Sequence, residues 1–157
     1  MKKNYSDNND KTQFFDKNIV FDPNLRFGEI ISNNKIVEIF KCGNMGGMRR
    51  SHITNSLVLI MDHIKGFYRD KRVREKIKYT GMGKTGYMEL NYAQNKTLHE
   101  SNTNGVNVYM FEVNNPGEYS YLGRVVLDGE PYTEYQDDIN DNRRRVWIFP
   151  LRLLEYR

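Results

Sequence analysis

Apolar positions in this chain come in short bursts of strand length, separated by polar segments rich in Asn, Gly and charged residues. The plainest burst is "NSLVLIM" at 55–61. A continuous apolar run of that length predicts a buried strand, because a helix needs more residues. Three further bursts predict strands: "VNVYMFEV" at 106–113, "YSYLGRVVL" at 119–127 and "RRVWIFPLRL" at 144–153. In the first of these, Val106, Val108 and Met110 alternate with Asn107, Tyr109 and Phe111, so both faces are partly covered. Asn114-Asn115-Pro116-Gly117 and Asp128-Gly129-Glu130-Pro131 supply turn chemistry between them. Pro150 marks a break or an edge position in the last strand.

The remaining segments are more polar. Residues 1–18 are rich in Asn, Asp and Lys and read as a mobile tail, with Phe14 and Phe15 as an anchor. Ser32-Asn33-Asn34 predicts a turn between a short strand and "IVEIF". "CGNMGGMRRS" predicts a loop, and residues 62–78 a polar, basic connection. "MELNYAQNKTLHES" at 88–101 predicts a helix, with Gly105 supplying the stop. "YQDDINDNRR" reads as a loop before the last strand. The expectation is an α+β fold, mainly β and mostly antiparallel, with a curved or closed sheet and flanking helices in one domain over 19–157.

Composition adds a direction. The chain has 157 residues, enough for one domain with a moderate core, and it is aromatic-rich, with eleven Tyr and eight Phe. The net charge is +4, unevenly spread. From Lys41 to Lys84 there are eleven Lys/Arg against Asp62, Asp70 and Glu75, a local +8, which leaves −4 for the rest. A basic middle on an acidic body is an electrostatic footprint for a polyanion. Cys42 is the only cysteine, which excludes an intrachain disulfide and a cysteine-based zinc site. No apolar run approaches the roughly 18 residues of a membrane span, and "MKKNYSDNND" lacks a signal-peptide core. The expectation is a soluble, cytoplasmic protein.

"KYTGMGKTGY" at 78–87 has the look of a phosphate loop, but the match fails on position. A Walker loop aligned on Gly83-Lys84-Thr85 requires glycine at 78, where the chain has Lys. Gly81, Gly83 and Gly86 fit the G-x-G-x-x-G spacing, yet no βαβ unit surrounds them. His52, His63 and His99 are scattered, and there is no G-x-S-x-G elbow. These residues predict no catalytic group, no metal and no cofactor.

What stands out is "KGFYRDKRVREKIKYTG", in which Phe67, Tyr68 and Tyr79 are interleaved with seven cations. Rings stack on bases and cations hold phosphates. Asp70 inside this run has two readings. One is an ion pair with Lys71, Arg72 or Arg74; the other is acceptance of a hydrogen bond from a base amino group, as a carboxylate does from cytosine N4.

In their order and spacing, Ser56-Leu57-Val58-Leu59, Tyr79-Thr80-Gly81-x-Gly83, Asn95-x-x-Leu98 and Tyr121-x-Gly123 resemble the SRA (SET and RING finger-associated, or YDG) domain. The likeness is to the bacterial versions in modification-dependent (type IV-like) restriction systems, and it runs from about Phe40 to Leu154. The resemblance implies a PUA-like curved or closed β-barrel with flanking helices. It also implies a reader of double-stranded DNA that flips a modified cytosine, 5-methyl or 5-hydroxymethyl, into a pocket between two rings. Nuclease activity would then come from a fused or partner HNH-type domain. The alternative reading is a PUA-like module for RNA or a small ligand.

Carried onto this sequence, the family pattern makes Tyr79 one sandwiching ring and Thr80 its pocket neighbour, with Gly81 and Gly83 as clearance. Phe67 falls on the second ring, with Tyr68 competing, and Asp70 on the base-reading carboxylate. A different gap placement would use His63 or Asp62. Gly47-Met48-Arg49-Arg50-Ser51 is similar to the family's Gly-Val-His-Arg-Pro segment, with Arg49 in place of His. Arg49, Arg50, Ser51, Lys65, Arg69, Lys71, Arg72, Lys84 and Thr85 are the expected backbone or groove contacts. Eukaryotic members carry a long finger loop here; only "KTGYMELNYAQ" separates Gly83 from Asn95, which implies no strict CpG reading.

Overall fold

The computed structural model describes residues 19–65 and 68–155. The described chain runs β1 (Ile30–Ile31), α1 (Asn33–Phe40), β2 (Met48–Ser51), β3 (Ser56–Asp62), β4 (Lys71–Val73), β5 (Lys76–Thr80), α2 (Gln94–His99), β6 (Asn107–Asn115), β7 (Glu118–Leu127), β8 (Tyr132–Asp137) and β9 (Arg143–Leu153). The strands make one sheet in the order β2-β3-β6-β7-β9-β5-β4, with β1 beside β7 and β8 beside β9. All pairings are antiparallel except β3 with β6.

That exception explains the run at 55–61. Leu57, Leu59 and Met61 enter one core cluster, while Val58 and Ile60 enter another. The parallel partner β6 divides likewise, with Val108 and Met110 on one side and Tyr109, Phe111 and Val113 on the other. A strand covered on both faces reads as continuously apolar rather than alternating. The outer cover is α1 with the segment before it. Ser32 caps the helix by accepting from the Lys35 N–H, and Ile36 and Phe40, one turn apart, are buried against β3 and β6.

The sheet is curled but not closed: its end strands β2 and β4 share no ladder. Closure of the space between comes from side chains. Tyr79 on β5 reaches the carbonyls of Gly47 and Ile60, although β3 and β5 are four strands apart in the sheet order.

Five expectations need correction. The segment 42–51, expected as a loop, ends in strand β2, whose residues Met48–Ser51 pair with β3. The Ser32-Asn33-Asn34 turn is a helix start, since a serine N-cap and a turn share the same side-chain chemistry. The basic connection 62–78 contains the β4–β5 hairpin, turning at Arg74 with φ 58°. The helix expected over 88–101 is only six residues long, because residues 88–93 are drawn into the loop described below. The loop at 135–144 begins as β8 and ends in β9. Pro150 lies inside β9, but at the point where that strand exchanges β8 for β7 on one side.

Candidate functional site

At Thr80 the chain leaves the edge of β9 and rejoins it at Met88. The Gly81 N–H donates to the Trp147 carbonyl (2.9 Å) and the Met88 N–H to the Arg145 carbonyl (3.0 Å). The excursion between them carries Gly-Lys-Thr, and no described helix starts between Thr80 and Gln94, so it lacks the helix N-terminus of a phosphate loop. One buried side chain holds its first half. Asn95 Oδ1 accepts from the Met82 N–H (2.7 Å), and its Nδ2 donates to the carbonyls of Met82 (3.0 Å) and Glu89 (2.9 Å). Gly81 lies so close beneath that an added Cβ would sit 2.6 Å from Asn95 Oδ1 and 3.0 Å from the Phe149 ring. Gly83 adopts φ +132°, a conformation L side chains rarely take.

This loop, the segment before β2 and the residues Asp62, Lys65, Tyr68 and Asp70 line a cavity of about 570 Å³. Tyr79 forms its inner wall: the residue is 2% exposed, and its hydroxyl donates to the Gly47 carbonyl (2.7 Å). Burial raises this phenol's pKa well above the ordinary value. Tyr68 lines the cavity too, its hydroxyl accepting from the Gly83 N–H at 3.3 Å, and burial pushes its pKa up. Phe67 lies outside the described residues.

Asp70 is half-buried on the cavity wall and accepts the Thr80 N–H at 2.7 Å. Desolvation pushes its carboxyl up to about 6, against the hydrogen bonds from the Thr80 backbone and side chain and the nearby charge of His63. Among the described residues it forms no ion pair. Arg72, one of its expected partners, instead donates to Glu112 Oε1 from Nε (3.2 Å) and from its terminal nitrogen (3.0 Å). Of the alternative pocket groups, His63 also contacts Glu112 (2.8 Å), and Asp62 caps a turn through the N–H groups of Ile64 and Lys65.

The expected contact residues fall into three sets. Lys65 and Lys84 line the cavity and are exposed, and Arg69, Lys71 and Thr85 are exposed nearby in sequence. Arg49 also lines the cavity, but it is buried and donates to the Gly46 carbonyl and Asn33 Oδ1. Arg50, Ser51 and Arg72 are tied up within the fold. Arg50 donates to the β2–β3 turn at Ser51, Asn55 and Ser56. Ser51 is buried, with its hydroxyl accepting from the Thr54 N–H. The Ser51 side chain braces the β2–β3 hairpin.

Sequence reasoning missed three residues. Tyr92 and Met45 line the cavity while 55% and 81% exposed. Gln136 on β8 is buried and donates to the Thr80 hydroxyl at 3.2 Å. Tyr92 gave a signal, an aromatic in a polar stretch three residues before Asn95; Gln136 gave none. Among the described residues no cluster of metal-ligating side chains is present, and no helix is long and apolar enough to cross a membrane.

A family model described as "ScoMcrA-like, SRA domain" matches residues 27–156. No curated protein matches the chain. Several solved structures share the fold. One is the sulfur-binding and SRA domains of ScoMcrA complexed with phosphorothioated DNA (TM-score 0.67, 20% identity, 82% of this chain and 40% of that one). Another is ScoMcrA itself, described as a type IV phosphorothioation-dependent restriction endonuclease (TM-score 0.66, 21% identity, 81% and 24%). A third is the SUVH5 SRA domain bound to fully hydroxymethylated CG DNA (TM-score 0.63, 17% identity, 86% and 93%). The chain thus spans two fifths or less of the ScoMcrA chains it resembles.

Proposed function

We propose that this chain, which belongs to the ScoMcrA-like SRA domain family, binds modified DNA and reads a modified cytosine flipped into the 570 Å³ cavity. One observation carries the reading: Asp70, a carboxylate without an ion-pair partner among the described residues, stands in that cavity beside Tyr68 and Tyr79. A carboxylate accepts a hydrogen bond from the cytosine amino group and repels a phosphate, so its position favours a base over a backbone as the occupant. The aromatic walls supply apolar and stacking surface that offsets the few kcal/mol of base extrusion. Lys65 and Lys84 at the cavity, with Arg69 and Lys71 nearby, supply phosphate contacts. Cleavage, in this reading, belongs to a fused or partner nuclease domain, as the ScoMcrA chains extend well beyond the matched portion.

The test is competition binding with matched duplexes: unmodified, 5-methylcytosine, 5-hydroxymethylcytosine and backbone phosphorothioate. The expected result is preference for one modified-cytosine duplex, and its loss in Asp70→Asn with most salt-dependent binding kept. Equal affinity for the first three duplexes defeats the proposal. Preference for phosphorothioate alone would move recognition to the DNA backbone. Preference for single-stranded or 2′-hydroxyl-bearing ligands would favour an RNA-binding module.

A further inference from the structure

Beneath the cavity, Asp70 is the end of a chain of polar side chains that starts on another strand. Glu134 Oε2 accepts from Gln136 Nε2 at 3.1 Å, and the same nitrogen donates to the Thr80 hydroxyl oxygen at 3.2 Å. Thr80 in turn donates its N–H to the Asp70 carboxyl at 2.7 Å, and its side chain is among the groups that hold that carboxyl down against desolvation. Gln136 and Thr80 are both buried.

The direction of each bond follows from which groups can donate. A carboxylate accepts only, so Glu134 fixes the Gln136 amide with its nitrogen forward. That orientation leaves Gln136 Oε1 buried without a partner among the described residues, and the opposite one would set that oxygen against the Glu134 carboxylate. The Thr80 hydroxyl has one proton. Since its oxygen receives the Gln136 N–H, that proton is left for another acceptor, and Asp70, already bound to the Thr80 N–H, is the carboxylate beside it.

We propose that Gln136 is a specificity-determining positioning residue: held by Glu134, it forces the Thr80 hydroxyl to donate to Asp70, and so keeps that carboxylate an acceptor, matched to an amino group on the base. The match to a base rests on the reading above; the proton ordering does not. With both Thr80 donors in place the carboxylate form of Asp70 is favoured, and it refuses a carbonyl at the position of the cytosine amine. Thymine is 5-methyluracil, so it differs from 5-methylcytosine only on the edge that this relay reads. The other charged or titratable groups around Asp70 are His63, Asp62, Lys65, Tyr68, Tyr79 and Arg49. Glu134 and Arg144, the residue opposite Gln136 on β9, flank the far end.

The experiment follows the Asp70 carboxyl by NMR titration without DNA in Gln136→Met, Thr80→Val and the double variant. Gln136→Met adds no charge. The expected result is an upward shift of the midpoint, by about half a unit or more, in each single variant. In the double variant Gln136→Met should add nothing to Thr80→Val, because it acts through the hydroxyl. An unchanged midpoint in Gln136→Met, or additive shifts, overturns the relay. Should Gln136→Met fail to fold, Glu134→Ala, at a half-buried position, is expected to shift Asp70 upward in the same Thr80-dependent way. Binding supplies the second readout: duplexes with 5-methylcytosine or thymine opposite an abasic position, which equalises the pairing lost on extrusion. Wild type should favour 5-methylcytosine, and Gln136→Met should reduce that preference several-fold. A wild-type titration pattern as predicted with no base preference would leave the relay standing and reject base reading alone.

Discussion

Behind β3 and β6, Phe40 meets Tyr109 at 5.1 Å and Phe111 at 5.9 Å between ring centroids, and Phe111 meets Tyr121 at 5.2 Å. Around the cavity, Tyr68 and Tyr79 instead direct their hydroxyls at the backbone of two loops. The outer cluster covers its rings with other rings in tilted and edge-on contacts, an arrangement that adds to the stability of simple burial. The cavity side uses its rings to hold a space open and tolerates a desolvated carboxylate in it. Similar residue types thus serve stability on one face of β3 and site geometry on the other. The two sides should respond differently to substitution.

The largest effect is expected on the outer side. Phe40→Ala removes a fully buried ring and should cost about 4 kcal/mol of unfolding free energy in denaturant melts. The folded fraction should keep wild-type duplex preference, because Phe40 is not itself among the residues that line the cavity. Loss of preference with the fold intact would break the division. On the cavity side, Asn95→Ala strips partners from the Met82 N–H and C=O and the Glu89 C=O. About 3 kcal/mol of lost stability is expected, along with weakened discrimination as the Gly81–Gly83 loop loosens. Gly81→Ala comes next, at about 2 kcal/mol, because Asn95 and Phe149 must give way to the new methyl.

How much of this was legible in the sequence follows the same division. The apolar bursts located β3, β6, β7 and β9, since burial writes itself into long runs. Short polar elements were not legible: β4, β8 and the start of α1 are held by register and capping, and their residues are equally good in turns. The Tyr79-Thr80-Gly81 motif pointed to the cavity wall, and Asp70 stood out as a carboxylate among cations. Its isolation from Arg72 was not readable, because that depends on Glu112, forty residues away, reaching the arginine first. Gln136 was hidden for a similar reason. Strand alternation, not composition, turns it inward beside Arg144 while Tyr135 and Arg145 point out.

The smallest effect has the opposite sign and links the two sides most directly. Asp70 has its carboxyl raised from 3.8 to about 6 by desolvation, so between those values the folded state holds a proton that the unfolded chain has released. Stability contributed by this group is therefore present at low pH and lost as pH rises from about 4 to about 6. Above that window the buried carboxylate burdens the fold, by at most about 3 kcal/mol from the size of the shift. Partial exposure to the cavity reduces this to ~1–2 kcal/mol. Asp70→Asn keeps an acceptor for the Thr80 N–H and removes the charge, so thermal melts should show it more stable than wild type at pH 7–8. The advantage should vanish by about pH 4, while duplex discrimination is lost at neutral pH. A variant no more stable than wild type at pH 8 would mean that the cavity already hydrates this carboxylate and that the site carries no stability burden.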